Sequence, residues 1–93
     1  MSIKNIYPDR ITAAQCRAAR ALLRWSQGDL AEKAKVGKQT LADFEREARE
    51  PYDRTLADIV AVLEEAGIEF IGVDDGKGPG VRLTEGRSSK LEH

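Results

Sequence analysis

Residues 26–47, SQGDLAEKAKVGKQTLADFERE, hold two helical patterns of about eight residues with a turn of three between them. Helices this short are marginal in isolation, so each has to bury an apolar face against its neighbours. Ser26 is suited to cap the first, Gln27 to about Ala34, which places Leu30, Ala31 and Ala34 on its inner face. Gly37 marks the turn, and the second pattern starts near Lys38 with Leu41 and Phe44 pointing inward three residues apart.

The flanks supply the rest of a small core. Thr12 can cap a helix over Ala13 to Arg24, a run free of glycine and proline in which Cys16, Ala19 or Arg20, and Leu23 recur at helical spacing. Pro51 ends whatever helix precedes it. A fourth helix is predicted from Thr55 to Ala66, with Leu56, Ile59, Val60 and Leu63 inward and Gly67 closing it. Beyond Gly67 the period changes: IEFIGV, DDGKGPG and VRL read as a β-hairpin over residues 68–84. The GKGPG stretch lacks the Ser or Thr after its lysine that a phosphate-cradling loop requires, and is read as a turn. Residues 1–11 are expected to form a flexible arm and residues 85–93 a disordered tail. The closing Leu91-Glu92-His93 reads as a tag remnant. The expected core is Cys16, Leu23, Trp25, Leu30, Ala34, Val36, Leu41, Phe44, Leu56, Ile59 and Leu63.

Composition removes several function classes. Cys16 is the only cysteine and is expected to be a small buried core residue, and the only histidine belongs to the tag remnant. With no recognisable triad or dyad, no catalytic residue, metal site or cofactor is expected, and the chain is read as not an enzyme. No apolar run approaches the roughly 20 residues needed to cross a bilayer, and the expected location is the cytoplasm. The net charge of −1 conceals an asymmetry. Residues 1–49 carry ten Lys/Arg against six Asp/Glu (+4), whereas residues 50–93 carry five against ten (−5). One surface of a small domain can thereby face phosphate.

SQGDLA (26–31), apolar Val36, TLADFE (40–45) and Pro51 stand at the spacing of a known family. Over residues 12–67 the chain resembles the phage-repressor-like helix-turn-helix proteins of the Xre or Cro type. The resemblance implies a mainly α fold, a compact repressor-like bundle of four to five helices, to which this chain adds its C-terminal hairpin. It further implies that helix 2 lies over the DNA backbone while helix 3 enters the major groove. Carried over by position, Gln27 would donate to a phosphate, Lys38, Gln39 and Asp43 would face base edges, and Thr40, Arg46 and Arg49 would contact phosphates. Arg20 and Glu45 occupy positions that in this family commonly form an ion pair between helices 1 and 3.

Three departures cluster around helix 3. Lys35 stands where the family usually has a turn glycine, at a cost of about 1 kcal/mol unless the turn moves to Gly37. Gly37 replaces a Ser or Thr cap. Glu47 replaces the glycine that commonly follows the recognition helix, so helix 3 is expected to run on by another turn. Residues 38–50 sum to −1, with Lys38, Arg46 and Arg49 against Asp43, Glu45, Glu47 and Glu50.

Two functions follow from the resemblance and its departures. One is a transcriptional regulator on double-stranded DNA, a repressor, with the hairpin as a candidate homodimerisation element. The other is an antiactivator or antitoxin-like regulator that sequesters a protein partner, a transcriptional activator or a toxin, through the helix-turn-helix or the acidic C-terminal surface.

Overall fold

A computed structural model of the chain describes residues 11–85. The residues read as the flexible arm, apart from Ile11, and as the tail, apart from Glu85, lie outside that range; Ile11 itself is buried. Among the described residues four helices are followed by two strands: α1 (Ala13–Leu23), α2 (Gln27–Ala34), α3 (Lys38–Glu45), α4 (Asp53–Glu65), β1 (Ile68–Ile71) and β2 (Gly80–Leu83). The fold is thus mainly α with a C-terminal hairpin. The strands pair antiparallel, Ile68 opposite Leu83 and Ile71 opposite Gly80.

The first two helix starts are set by side chains. Thr12 accepts from the Gln15 backbone N–H while the Gln15 side chain accepts from the Thr12 N–H, and Ser26 and Asp29 repeat this reciprocal arrangement at α2. α3 begins at Gly37 without a side-chain cap. α4 starts at Asp53, two residues before the predicted Thr55, also without one.

The ends of the first three helices share one device. Arg24 (φ 61°), Lys35 (φ 59°) and Glu47 (φ 62°) adopt the left-handed conformation. In each case the next residue's N–H reaches back five residues: Trp25 to Arg20, Val36 to Ala31, and Ala48 to Asp43, at 2.9, 3.0 and 2.8 Å. Two sequence expectations are settled here. Lys35 takes the strained conformation itself, and the turn does not move to Gly37, which has φ −64°. The expected extension of α3 past Glu47 does not occur: the helix stops at Glu45, because the left-handed backbone at Glu47 ends it much as a glycine would. Gly67, at φ 108°, follows α4 and turns the chain into β1, a conformation only glycine adopts easily.

The core gathers Cys16 and Ala19 of α1, Leu30, Ala31 and Ala34 of α2, Leu41 and Phe44 of α3, and Leu56, Ile59, Val60 and Leu63 of α4. Ile68 and Phe70 close it from β1. Leu23, Trp25 and Val36, expected in this set, are only half-buried and pack against its edge. Each lies at a helix end or in a turn, where the chain passes from the interior to the surface. For Trp25 the exposed part carries a contact, since Lys33 Nζ stands 5.1 Å from its ring centre.

The hairpin is fastened to α1 by one side chain. Gln15, buried, donates from Nε2 to the carbonyl oxygens of Ile71 (3.1 Å) and Gly80 (3.0 Å). Its Oε1 is occupied at the same time by the Thr12 N–H, at 2.8 Å. The hairpin therefore packs as part of the bundle.

Candidate nucleic-acid interface

α2 and α3 are held at their crossing by Glu45. This carboxylate is 2% exposed and accepts from four donors: Arg20 Nε (2.8 Å), Arg20 Nη2 (2.7 Å), Gln27 Nε2 (2.9 Å) and Cys16 Sγ (3.1 Å). Arg20 also donates from Nη1 to the Trp25 carbonyl at 3.0 Å, tying the α1–α2 turn to the same cluster. Burial alone would raise the Glu45 pKa, but the hydrogen bonds from Arg20, Gln27 and Cys16 outweigh it and hold the carboxyl below its ordinary value. Burial, followed by the hydrogen bond to Glu45, pushes the Cys16 thiol well above its own. The acid at position 45 is thus spent inside the molecule.

Arg17, one turn before Arg20, reaches the far end of α3. Its Nη1 donates to the Glu45 carbonyl oxygen and lies 4.0 Å from the Glu47 carboxylate. A cation at a helix C-terminus is favoured by the helix dipole, and here it also faces the exposed acid that follows α3. Glu47 stays largely exposed, as does Arg17.

The outward surface of α3 carries Lys38, Gln39 and Thr40, all exposed, with Arg46 and Arg49 exposed beyond its end. Lys38 leans back across the turn: its Nζ stands 3.9 Å from where a Cβ on Gly28 would lie, placing the ammonium over the first turn of α2. Two helix N-termini and a lysine therefore share one side of the molecule. Asp43 is half-buried and bonded on both flanks, Oδ1 accepting from Gln39 Nε2 at 2.9 Å and from Arg46 Nη2 at 3.0 Å.

Gln27 is the residue whose placement differs most from its carried-over role. Its side-chain amide turns inward to Glu45, and the side chain is only half-buried at the start of α2. The link between Gln27 and Glu45, and that between Cys16 and Glu45, were not visible in the sequence, because both pair residues on different helices that no motif joins. An open groove of about 510 Å³ lies beside this surface, between the start of α1 and the segment after α3, with Phe44 at its base and Arg49 and Glu50 among its lining residues.

Among the described residues no group of three or more His, Cys, Asp or Glu could hold a metal ion. None of the described helices is long and apolar enough to cross a membrane. No curated protein matches the chain. A family model described as helix-turn-helix matches residues 17–70, from the Arg17 that caps α3 to the Phe70 that closes the core. That span covers more than half of the chain, and with the two short helices, their tight turn and the outward polar face of α3 it makes this protein a member of the phage-repressor-like, Xre/Cro-type helix-turn-helix family, whose members are DNA-binding regulators.

Proposed function

We propose that this protein is a repressor that binds operator DNA as a homodimer, with α3 in the major groove and the start of α2 against the phosphate backbone. The observation that carries the reading is the fate of the acids on α3. Glu45 is buried and paired with Arg20, and Asp43 is bonded to Gln39 and Arg46, so the exposed polar side chains at the start of α3 are Lys38, Gln39 and Thr40, with Arg46, Glu47 and Arg49 exposed beyond its end. Lys38 is suited to guanine O6 and N7, and Gln39 to adenine N6 and N7. Thr40, Arg46 and Arg49 are assigned to phosphates, and Gln27 contributes through the helix N-terminus. Dimer contact is assigned to the hairpin, whose sheet has two strands among the described residues, so that within them each keeps one edge without a strand partner.

A second reading has an observation in its favour. Tyr52 is 87% exposed, a large aromatic side chain open to a protein partner, in a stretch where Glu47, Glu50 and Asp53 outnumber Arg49 and Arg54. In that reading the chain sequesters a transcriptional activator or a toxin.

Binding of the full chain to the DNA upstream of its own gene, across a salt series, separates the two. A repressor gives a preferred site and a log K that falls steeply with log salt, by about 0.9 per phosphate neutralised. Weak binding with neither site preference nor a steep slope would favour the sequestering reading.

A further inference from the structure

On the outward face of α3 the side chains of Gln39, Asp43 and Arg46 are already bonded to one another, and the inference drawn from them rests on the reading of α3 as the DNA-contacting helix. Asp43 Oδ1 accepts from both Gln39 Nε2 (2.9 Å) and Arg46 Nη2 (3.0 Å). An ionised carboxylate can only accept, so it decides which end of the Gln39 amide faces it: nitrogen toward Asp43, oxygen away. We propose that Asp43 is a positioning residue that fixes Gln39 in the orientation that reads adenine, and that it does not itself contact a base.

A glutamine amide reads adenine by accepting from N6 with its oxygen and donating to N7 with the N–H on the oxygen's side. The other N–H points away from that edge and is the one left for Asp43. Both hydrogen bonds of the base contact therefore stay available while the amide is held. Guanine presents two acceptors on the same edge, O6 and N7, so the fixed amide oxygen would meet an acceptor. Turning the amide over to avoid this would break the bond to Asp43 and set oxygen against carboxylate. The hydrogen bond from Gln39, and after it that from Arg46, holds the Asp43 carboxyl below its ordinary range, which keeps the acceptor-only form at neutral pH. Arg46 completes the arrangement by balancing the charge that would otherwise face the phosphates.

Asp43→Asn keeps the shape but adds a donor that can bond the Gln39 oxygen, so both amide orientations become available. In the free protein, NMR should show a Gln39 side-chain amide proton that exchanges slowly and shifts with Asp43 at acid pH, and both properties should vanish in Asp43→Asn. In the complex, a site is selected by the full-length protein from random-sequence duplexes and varied one base pair at a time at fixed salt. Asp43→Asn and Gln39→Ala should both lower discrimination at the same A·T pair, on the order of ten-fold, with the double variant losing no more than Gln39→Ala alone. The proposal is overturned if Asp43→Asn changes preference at a different base pair, as a direct cytosine contact would, or leaves the Gln39 pair unchanged. A Gln39 amide insensitive to Asp43→Asn overturns the positioning role alone. A random pool with no enrichment overturns the DNA reading and the proposal with it, whatever the NMR shows.

Discussion

Arg20 meets Glu45 across the gap between α1 and α3 with two contacts, Nε to Oε2 at 2.8 Å and Nη2 to Oε1 at 2.7 Å. The carboxylate is buried, whereas the arginine side chain keeps 19% exposure. Removing one partner leaves a desolvated charge without compensation, so Arg20→Ala should cost about 3 kcal/mol, the low end for buried pairs because of that exposure. Removing both should cost less than the two single losses together, with a coupling of about 1 kcal/mol or more in urea denaturation of the four-member cycle. Additive single effects would show that the pair is geometric only.

The same cluster contributes to the pH dependence of stability at both limits. Glu45 has a folded pKa below its unfolded value, so its contribution is complete above the unfolded value of about 4.3 and is lost as pH falls through the folded one. Cys16 is shifted the other way: its contribution is complete below the unfolded thiol value of about 8.5 and is lost as pH rises beyond it. Thermal unfolding should show stability falling by up to about 1.4 kcal/mol per pH unit on the alkaline side. Cys16→Ser, whose hydroxyl can still donate to Glu45, should flatten that limb and leave the acid limb in place.

Lys35 and Glu47 hold left-handed backbone at φ 59° and 62°. Glycine at either position relieves that strain, and Lys35→Gly should raise stability by up to about 1 kcal/mol. Glu47→Gly should give a similar gain, reduced a little by loss of the weak contact to Arg17 at 4.0 Å. Chemical denaturation midpoints measure both. A loss of stability at Lys35→Gly would mean that the lysine side chain contributes more than its backbone conformation costs.

Gln15→Leu removes the donor shared by the Ile71 and Gly80 carbonyls and half of the capping pair with Thr12. Leaving these groups unsatisfied should cost about 1–3 kcal/mol. Amide exchange of β1 and β2 should accelerate more than that of α2 and α3, because the hairpin loses its tether while the helix crossing keeps Glu45.

On DNA, Glu47→Lys should tighten binding, most at low salt where surface charges are least screened. Arg49→Ala should weaken all sequences alike and shrink the salt slope by about one. Unchanged affinity in Glu47→Lys, together with loss of a protein complex, would favour the sequestering reading.

Helix positions in this chain are written in local chemistry. Thr12 and Ser26 each have a partner three residues on that closes a reciprocal cap, and the spacing of Leu56, Ile59, Val60 and Leu63 defines the buried stripe of α4. Where α3 ends was misread, because Glu47 has no intrinsic preference for the left-handed conformation that its neighbours impose. The resemblance to the helix-turn-helix family brought out the positions of Arg20 and Glu45, but the further links of that carboxylate to Gln27 and Cys16 depend on how three helices meet. Gln15 was invisible for the same reason, since its partners stand 56 and 65 residues away.

That distance bears on how the molecule comes into being. α1 leaves the ribosome before the hairpin does, and Gln15 finds its two carbonyl acceptors only after Gly80 has been made. The four helices can assemble through contacts between near neighbours, which form quickly, whereas docking β2 against α1 requires closing a loop of 65 residues. Completion of the fold is therefore a late event, and a ribosome stalled before residue 80 would hold a set of helices whose first member is still waiting for its partner.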